Sequence, residues 1–185
     1  MGKTLPALDA TLTRFIERQH LFFVATAPNG AEGHVNLSPK GYDTFRVLGP
    51  DRVAYLDLTG SGAETIAHLR QNGRITLLFC AFEGKPQLVR LYGRGRVLVA
   101  GDEGFDELVA GCPPQRGLRS AIVVDIERVS TSCGYSVPRF SYVEERPTLD
   151  EWCERRSPAQ LDDYRVQNNS FSIDGLPALD GTPQH

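Results

Sequence analysis

The chain lacks any apolar run approaching the roughly 20 residues that a membrane-spanning helix needs, so no membrane partner is expected. It lacks charge of one sign. Its 20 Lys and Arg against 23 Asp and Glu give a net charge of -3, which offers no global attraction to nucleic acid. Its four cysteines, Cys80, Cys112, Cys133 and Cys153, form no C-x-x-C pair. That spacing speaks against a thiolate zinc site, and no metal is expected. The four histidines, His20, His34, His68 and His185, form no metal pair, and H-E-x-x-H is absent. The G-x-S-x-G elbow of a hydrolase and the complete P-loop are absent too. The N-terminus M-G-K-T-L-P-A-L-D carries no long apolar segment. A secretory signal is therefore not expected there, and the default address is cytoplasmic.

What is present is a series of short strands punctuated by turns. Leu8, Leu12, Phe15 and Ile16 recur on one helical face, which predicts an amphipathic helix from Leu8 to Gln19. Strands are expected at Leu21–Ala27, His34–Ser38, Phe45–Leu48 and Val53–Leu58. Asn29-Gly30 reads as a hairpin turn, and Pro39-Lys40-Gly41 as a strand breaker. Ser61 to Asn72 reads as a helix, with Ser61 and Glu64 as a capping box and Asn72-Gly73 as a left-handed stop. Further strands are expected at Arg74–Phe82, Gln87–Val99 and Arg119–Ser130, with a short helix at Asp102–Ala110. Leu149 to Val166 has helical composition interrupted by Pro158, and residues from about Gly175 are expected to be irregular. Tight turns between strands favour an antiparallel barrel over a doubly wound sheet, because parallel neighbours need long crossovers.

One turn carries a chemical signal. Thr59-Gly60-Ser61-Gly62 leads from a strand directly into a helix, where exposed amides and the helix dipole attract phosphate. The plain alternative is a capped helix after a strand. Glu64 weighs toward that alternative, because its carboxylate lies in the first turn, and a phosphate there would need outside cations. Lys40, at the end of a neighbouring strand, and Arg74, just after the helix stop, are the candidates. Each has a plain reading as well, Lys40 solvated and Arg74 on the last helical carbonyls. Arg90, Arg94 and Arg96 share a strand face with Tyr92, with Gly93 and Gly95 marking a bend or bulge. That face reads as solvent-facing, as an anion groove or as a subunit interface.

The ordered pieces H-V-N-L-S-P-K-G (34–41), V-A-Y-L-D-L-T-G-S-G-A-E-T (53–65), N-G-R-I-T-L-L-F (72–79) and L-V-R-L-Y-G (88–93) resemble the FMN-binding split-barrel family of pyridoxamine 5'-phosphate oxidase, over roughly Leu21 to Pro138. The resemblance implies a mainly β fold, an antiparallel split β-barrel with peripheral helices. It implies a homodimer with FMN in the interface cleft and a small-molecule substrate. It places the cofactor against Val35, Asn36, Leu37, Ser38, Lys40, Asp57, Leu58, Thr59, Gly60, Ser61 and Thr65, and leaves the phosphate to Lys40, to Arg74 or to an arginine of the partner chain. The barrel with its N-terminal helix would occupy residues 1–146, and residues 147–185 would form a helical and irregular extension. That extension, from Trp152 to Leu176 at least, is expected to pack on the barrel or the partner near the cofactor mouth.

Two departures from the family pattern are visible. Where the oxidase carries Ser-Arg-Lys to hold the phosphate, this chain has Ser61-Gly62-Ala63. Where the oxidase has an Arg-x-His segment that grips substrate, this chain continues Cys133-Gly134-Tyr135-Ser136-Val137-Pro138 into a divergent tail. The resemblance therefore points to an FMN-dependent oxidoreductase other than the oxidase itself, with no catalytic side chain named. The competing readings are a non-catalytic flavin-binding protein, or a deazaflavin or haem in the same cleft.

Overall fold

The computed structural model describes residues 2–179. Eight strands and five helices follow in the order β1 (Thr4–Leu5), α1 (Ala10–Glu17), β2 (Phe22–Thr26), β3 (Asn36–Lys40), β4 (Phe45–Gly49), β5 (Arg52–Leu58), α2 (Glu64–Asn72), β6 (Arg74–Cys80), β7 (Leu88–Leu98), α3 (Phe105–Ala110), β8 (Leu118–Ser132), α4 (Thr148–Glu154) and α5 (Pro158–Asn169). The strands form one sheet in the order β3-β2-β6-β7-β8-β5-β4, with β1 added to β8. Every pairing between these strands is antiparallel. Among the described residues no helix is long and apolar enough to cross a membrane.

The length of β8 organises the sheet. Its 15 residues pair with β7 along one edge and with β5 and then β1 along the other. The long strand is able to curve because β7 slips register between Tyr92 and Gly93. A side chain at Gly93 would collide with the Asp125 carbonyl, so the close approach of the two strands requires glycine. Beneath the curve lies the main core, in which Phe22 meets Phe45, Tyr55 and Phe79 at ring separations of 5.1 to 5.5 Å. α1 closes this core with Leu12, Phe15 and Ile16, and the Asp9 carboxylate caps its first turn.

Several sequence expectations need correction. Pro39 does not break β3. It pairs with Phe23 inside the strand, and this is tolerated because β3 is paired only with β2 and its other edge is free of the ladder. Asn29-Gly30 does not make a tight hairpin, since pairing resumes only at Thr26 with Asn36. The Ser61 capping box is absent: α2 starts at Glu64 after Ala63, with no side-chain cap. Gly73 does stop α2 in the left-handed region, at φ 67°. Pro158 divides the C-terminal helical stretch by starting a helix rather than by breaking one. Ser157 and Gln160 form a full capping box around it.

The C-terminal segment lies on the barrel. Arg165 of α5 bonds Thr59 Oγ1 at 3.1 Å and the Leu118 carbonyl at 2.9 Å. Ala178 and Leu179 are buried against Ala63, Ile66 and Ala67 of α2 and its approach. Trp152 packs edge-on against Tyr164 with the Arg156 guanidinium over its ring. Phe171 and Ile173, in the stretch expected to pack on the barrel or across the dimer, are 61% and 71% exposed in the single chain. Residues 180–185, part of the expected irregular end, lie outside the described residues.

Candidate functional site

A cleft of about 650 Å³ opens between edge strand β3, the end of β5 and the start of α2. Such a volume suits a cofactor-sized ligand. Its β3 wall runs from His34 to Gly41, and the opposite wall is Leu56, Leu58 and the turn from Thr59 to Gly62. Of the twelve residues named from the family resemblance, ten line it: Val35, Asn36, Leu37, Ser38, Lys40, Leu58, Thr59, Gly60, Ser61 and Thr65. Arg74 does not. It borders a separate depression on β6 and β7, where its guanidinium bonds the Pro28 carbonyl at 3.2 Å. It therefore borders a different depression from the cleft, and the last helical carbonyl, that of Asn72, accepts from Arg94 instead, at 2.9 Å.

Asp57 is close to the cleft but below it. Its carboxylate is fully buried and accepts from Lys40 Nζ and from Arg119 Nε, both at 2.8 Å, and from Ser120 Oγ at 3.3 Å. Burial alone would raise the Asp57 carboxyl, but the Lys40 ammonium and Arg119 guanidinium outweigh it and hold the pKa at about 2. The carboxylate is thus ionised under ordinary conditions and anchors both cations at the floor. Arg119 also donates to the Gly62 carbonyl at 2.8 Å, which ties β8 to the Gly-rich turn.

The polar wall is fixed by a chain of hydrogen bonds. Asn36 Nδ2 donates to Thr65 Oγ1 at 2.9 Å and to Thr26 Oγ1 at 3.3 Å. Ser38 donates to Asn36 Oδ1 at 3.0 Å, and Thr26 Oγ1 lies 3.0 Å from Nδ1 of buried His68. Burial lowers the His68 pKa, which favours the neutral ring. At the end of the cleft the turn after β3 is strained. Tyr42 and Asp43 have φ of 62° and 48°, a region that non-glycine residues rarely adopt. Arg46 clamps the Asp43 carboxylate, Gln115 donates to the Tyr42 carbonyl, and the Tyr42 hydroxyl donates to the Arg146 carbonyl.

Tyr42, Thr44, Arg119 and Leu149 line the cleft without having been named for it, whereas Ile173, which also lines it, belongs to the stretch expected near the cofactor mouth. Arg119 comes there through the pairing of Asp57 with Ser120, which no local motif announces. Leu149 and Ile173 belong to the C-terminal extension. Its Asp174 holds His34 by both the backbone N–H, at 2.8 Å, and Nδ1, at 2.7 Å. These two bonds, the backbone one first, lower the Asp174 pKa. The Arg90, Arg94 and Arg96 face is engaged with neighbours on β8: Ser132, Glu127 and Asp125 respectively.

Sheet order, curvature and cleft position define a split barrel with an open groove between β3 and α2. The family model described as pyridoxamine 5'-phosphate oxidase matches residues 8–133, and the chain belongs to that family. It is 40% identical over 190 residues to the pyridoxamine 5'-phosphate oxidase family protein ustO of Aspergillus flavus, covering 94% of this chain and 76% of that protein. Among solved structures, HupZ of Group A Streptococcus superposes with a TM-score of 0.52 at 22% identity, over 66% of this chain and 91% of that one. A putative pyridoxamine 5'-phosphate oxidase from Lactobacillus delbrueckii also gives 0.52, at 20% identity, over 68% and 94%. At those identities the two structures bear on the fold alone.

The residues fit a flavin in body and only partly at its anionic end. Val35, Leu37, Leu56 and Leu58 supply apolar surface, and Asn36, Ser38 and Thr65 supply directed polar groups. Lys40 and Arg119 supply cations at the floor, although both are shared with Asp57. The Gly60–Gly62 turn supplies none, and the Glu64 carboxylate lies beside it.

Proposed function

We propose that the cleft binds FMN and that the protein is a flavin-dependent oxidoreductase acting on a small molecule. The observation that carries this reading is the floor, where two cations anchored by one buried carboxylate face a groove with apolar sides and a fixed hydroxyl-amide wall. A bound flavin would supply the electron-transfer chemistry. Lys40 and Arg119 would hold its negative charge. Asn36, Ser38 and Thr65 would orient its ring edge, and Leu149 with Ile173 would limit water at the mouth.

The same reading includes a homodimer. Val35, just before β3, and Leu37 on β3 are 75% and 66% exposed, and Ile173, which lines the same cleft, is 71% exposed. Among the described residues β3 also presents an edge with no strand beyond it. An apolar strand edge is normally covered, and a second copy of the chain would cover it and close the groove. Light scattering should then give a mass near twice 20.4 kDa.

The absorption spectrum of the purified protein, alone and after reconstitution with FMN, tests the cofactor. Oxidised flavin bands retained through gel filtration are expected. A colourless protein that ignores FMN would remove this reading, and a haem or deazaflavin spectrum would replace it.

A further inference from the structure

The start of α2 is built as an anion position, and the chain fills it with its own side chain. Glu64 is the first residue of this nine-residue helix. Its carboxylate folds back over the Gly-rich turn, so that any side chain at Gly62 would strike it. It accepts from the backbone N–H of Ile173 in the C-terminal extension, at 3.2 Å. Aligned amides at a helix start favour negative charge, and here a resident carboxylate meets that preference. Two basic groups among the described residues reach the turn, and both are already paired: Arg119 donates to the Gly62 carbonyl and pairs with Asp57, and Arg165 donates to Thr59 Oγ1 and pairs with Asp162.

We propose that Glu64 is a specificity-determining residue that closes the helix end of the cleft to phosphate, so that the cleft gains little from a ligand's phosphate there. This rests on the flavin reading for its natural ligand, but the chemistry concerns any phosphate monoester. The extension takes part, because Ile173 holds the carboxylate in place. FMN then owes its binding mainly to its ring and to Lys40 and Arg119 at the floor. Riboflavin, which lacks the phosphate, is disfavoured only by what it loses at Lys40 and Arg119, with no further loss at the helix end.

The test compares FMN and riboflavin titrations of the wild type, Glu64→Gln and Glu64→Ala, followed by quenching of flavin fluorescence. Glu64→Asp serves as a charge-retaining control. Removing the charge should raise the FMN-to-riboflavin affinity ratio about tenfold, the effect of one charge-assisted hydrogen bond, with riboflavin affinity unchanged. The Asp variant should stay near the wild-type ratio. A ratio unmoved in both neutral variants overturns the proposal, as does a parallel change in both ligands. A second readout is the melting temperature in inorganic phosphate against chloride of equal ionic strength. Phosphate should protect the Gln variant and not the wild type, and equal responses overturn the proposal. If the wild type binds neither flavin, the cofactor reading falls, and the phosphate measurement alone decides the role of Glu64.

Discussion

The two sides of the cleft are held by different forces. The floor is electrostatic and buried: Asp57 is fully enclosed, Arg119 is 5% exposed, and Lys40 completes the group. The rim is a set of scattered hydrogen bonds and small apolar contacts: Asn169 to the Gly60 carbonyl, Ile173 to Glu64, the two bonds of His34 to Asp174, and Leu179 against α2. A buried charge left without its partner is costly, so the floor has one arrangement. Each rim contact is worth little alone and can be replaced by water or by a ligand. The floor therefore suits the fixed recognition of a cofactor, and the rim suits selection among ligands.

The largest effect should come from breaking the floor. Asp57→Asn keeps the side-chain shape but leaves Lys40 and Arg119 uncompensated. Urea unfolding should show a loss of about 3–5 kcal/mol. A loss below that of the rim variants would reverse the comparison.

The same carboxylate gives a pH signature. The folded pKa is about 2 and the unfolded value ~3.9, so the unfolded chain takes up the proton first as pH falls. The stabilisation is complete above pH ~4 and lost on the way down to about 2, by an amount on the order of 2 kcal/mol. Unfolding free energies measured across that window should fall more steeply for the wild type than for Asp57→Asn.

How far the sequence carried the site depends on the kind of contact. Lys40 and the Thr59–Gly62 turn were legible because strand ends and Gly-rich turns are local patterns. The helix from Ser61 was misplaced because a capping box requires the serine to sit at the helix boundary, and the chain does not become helical until Glu64. Arg119 was hidden because its place depends on the β5–β8 register, a pairing across more than 60 residues of chain. Pro39 misled because its effect depends on whether its strand is an edge, which local composition does not encode. The extension's apolar residues did signal packing. However, Ala178 and Leu179 are the buried ones at its end, while Phe171 and Ile173 stay exposed.

Rim variants sharpen the contrast from the other side. Leu179→Ala should cost about 2 kcal/mol, at the low end for a buried leucine because the site lies at the surface of the fold. Differential scanning calorimetry would register it as a lower melting temperature. Ser157→Ala removes the cap of α5 and should cost about 1 kcal/mol, read by chemical denaturation. Neither variant should change the acid behaviour assigned to Asp57, because neither touches it.

The most direct measurement is an FMN titration of the wild type against Lys40→Met, which keeps most of the side-chain stem while removing the ammonium. Saturable FMN binding by the wild type is expected. Affinity should be about ten- to a hundredfold lower in a variant that remains folded, a loss of about 1–3 kcal/mol. Equal affinity in the two proteins would remove Lys40 from the site. No binding by the wild type would contradict the assignment of this cleft to a flavin.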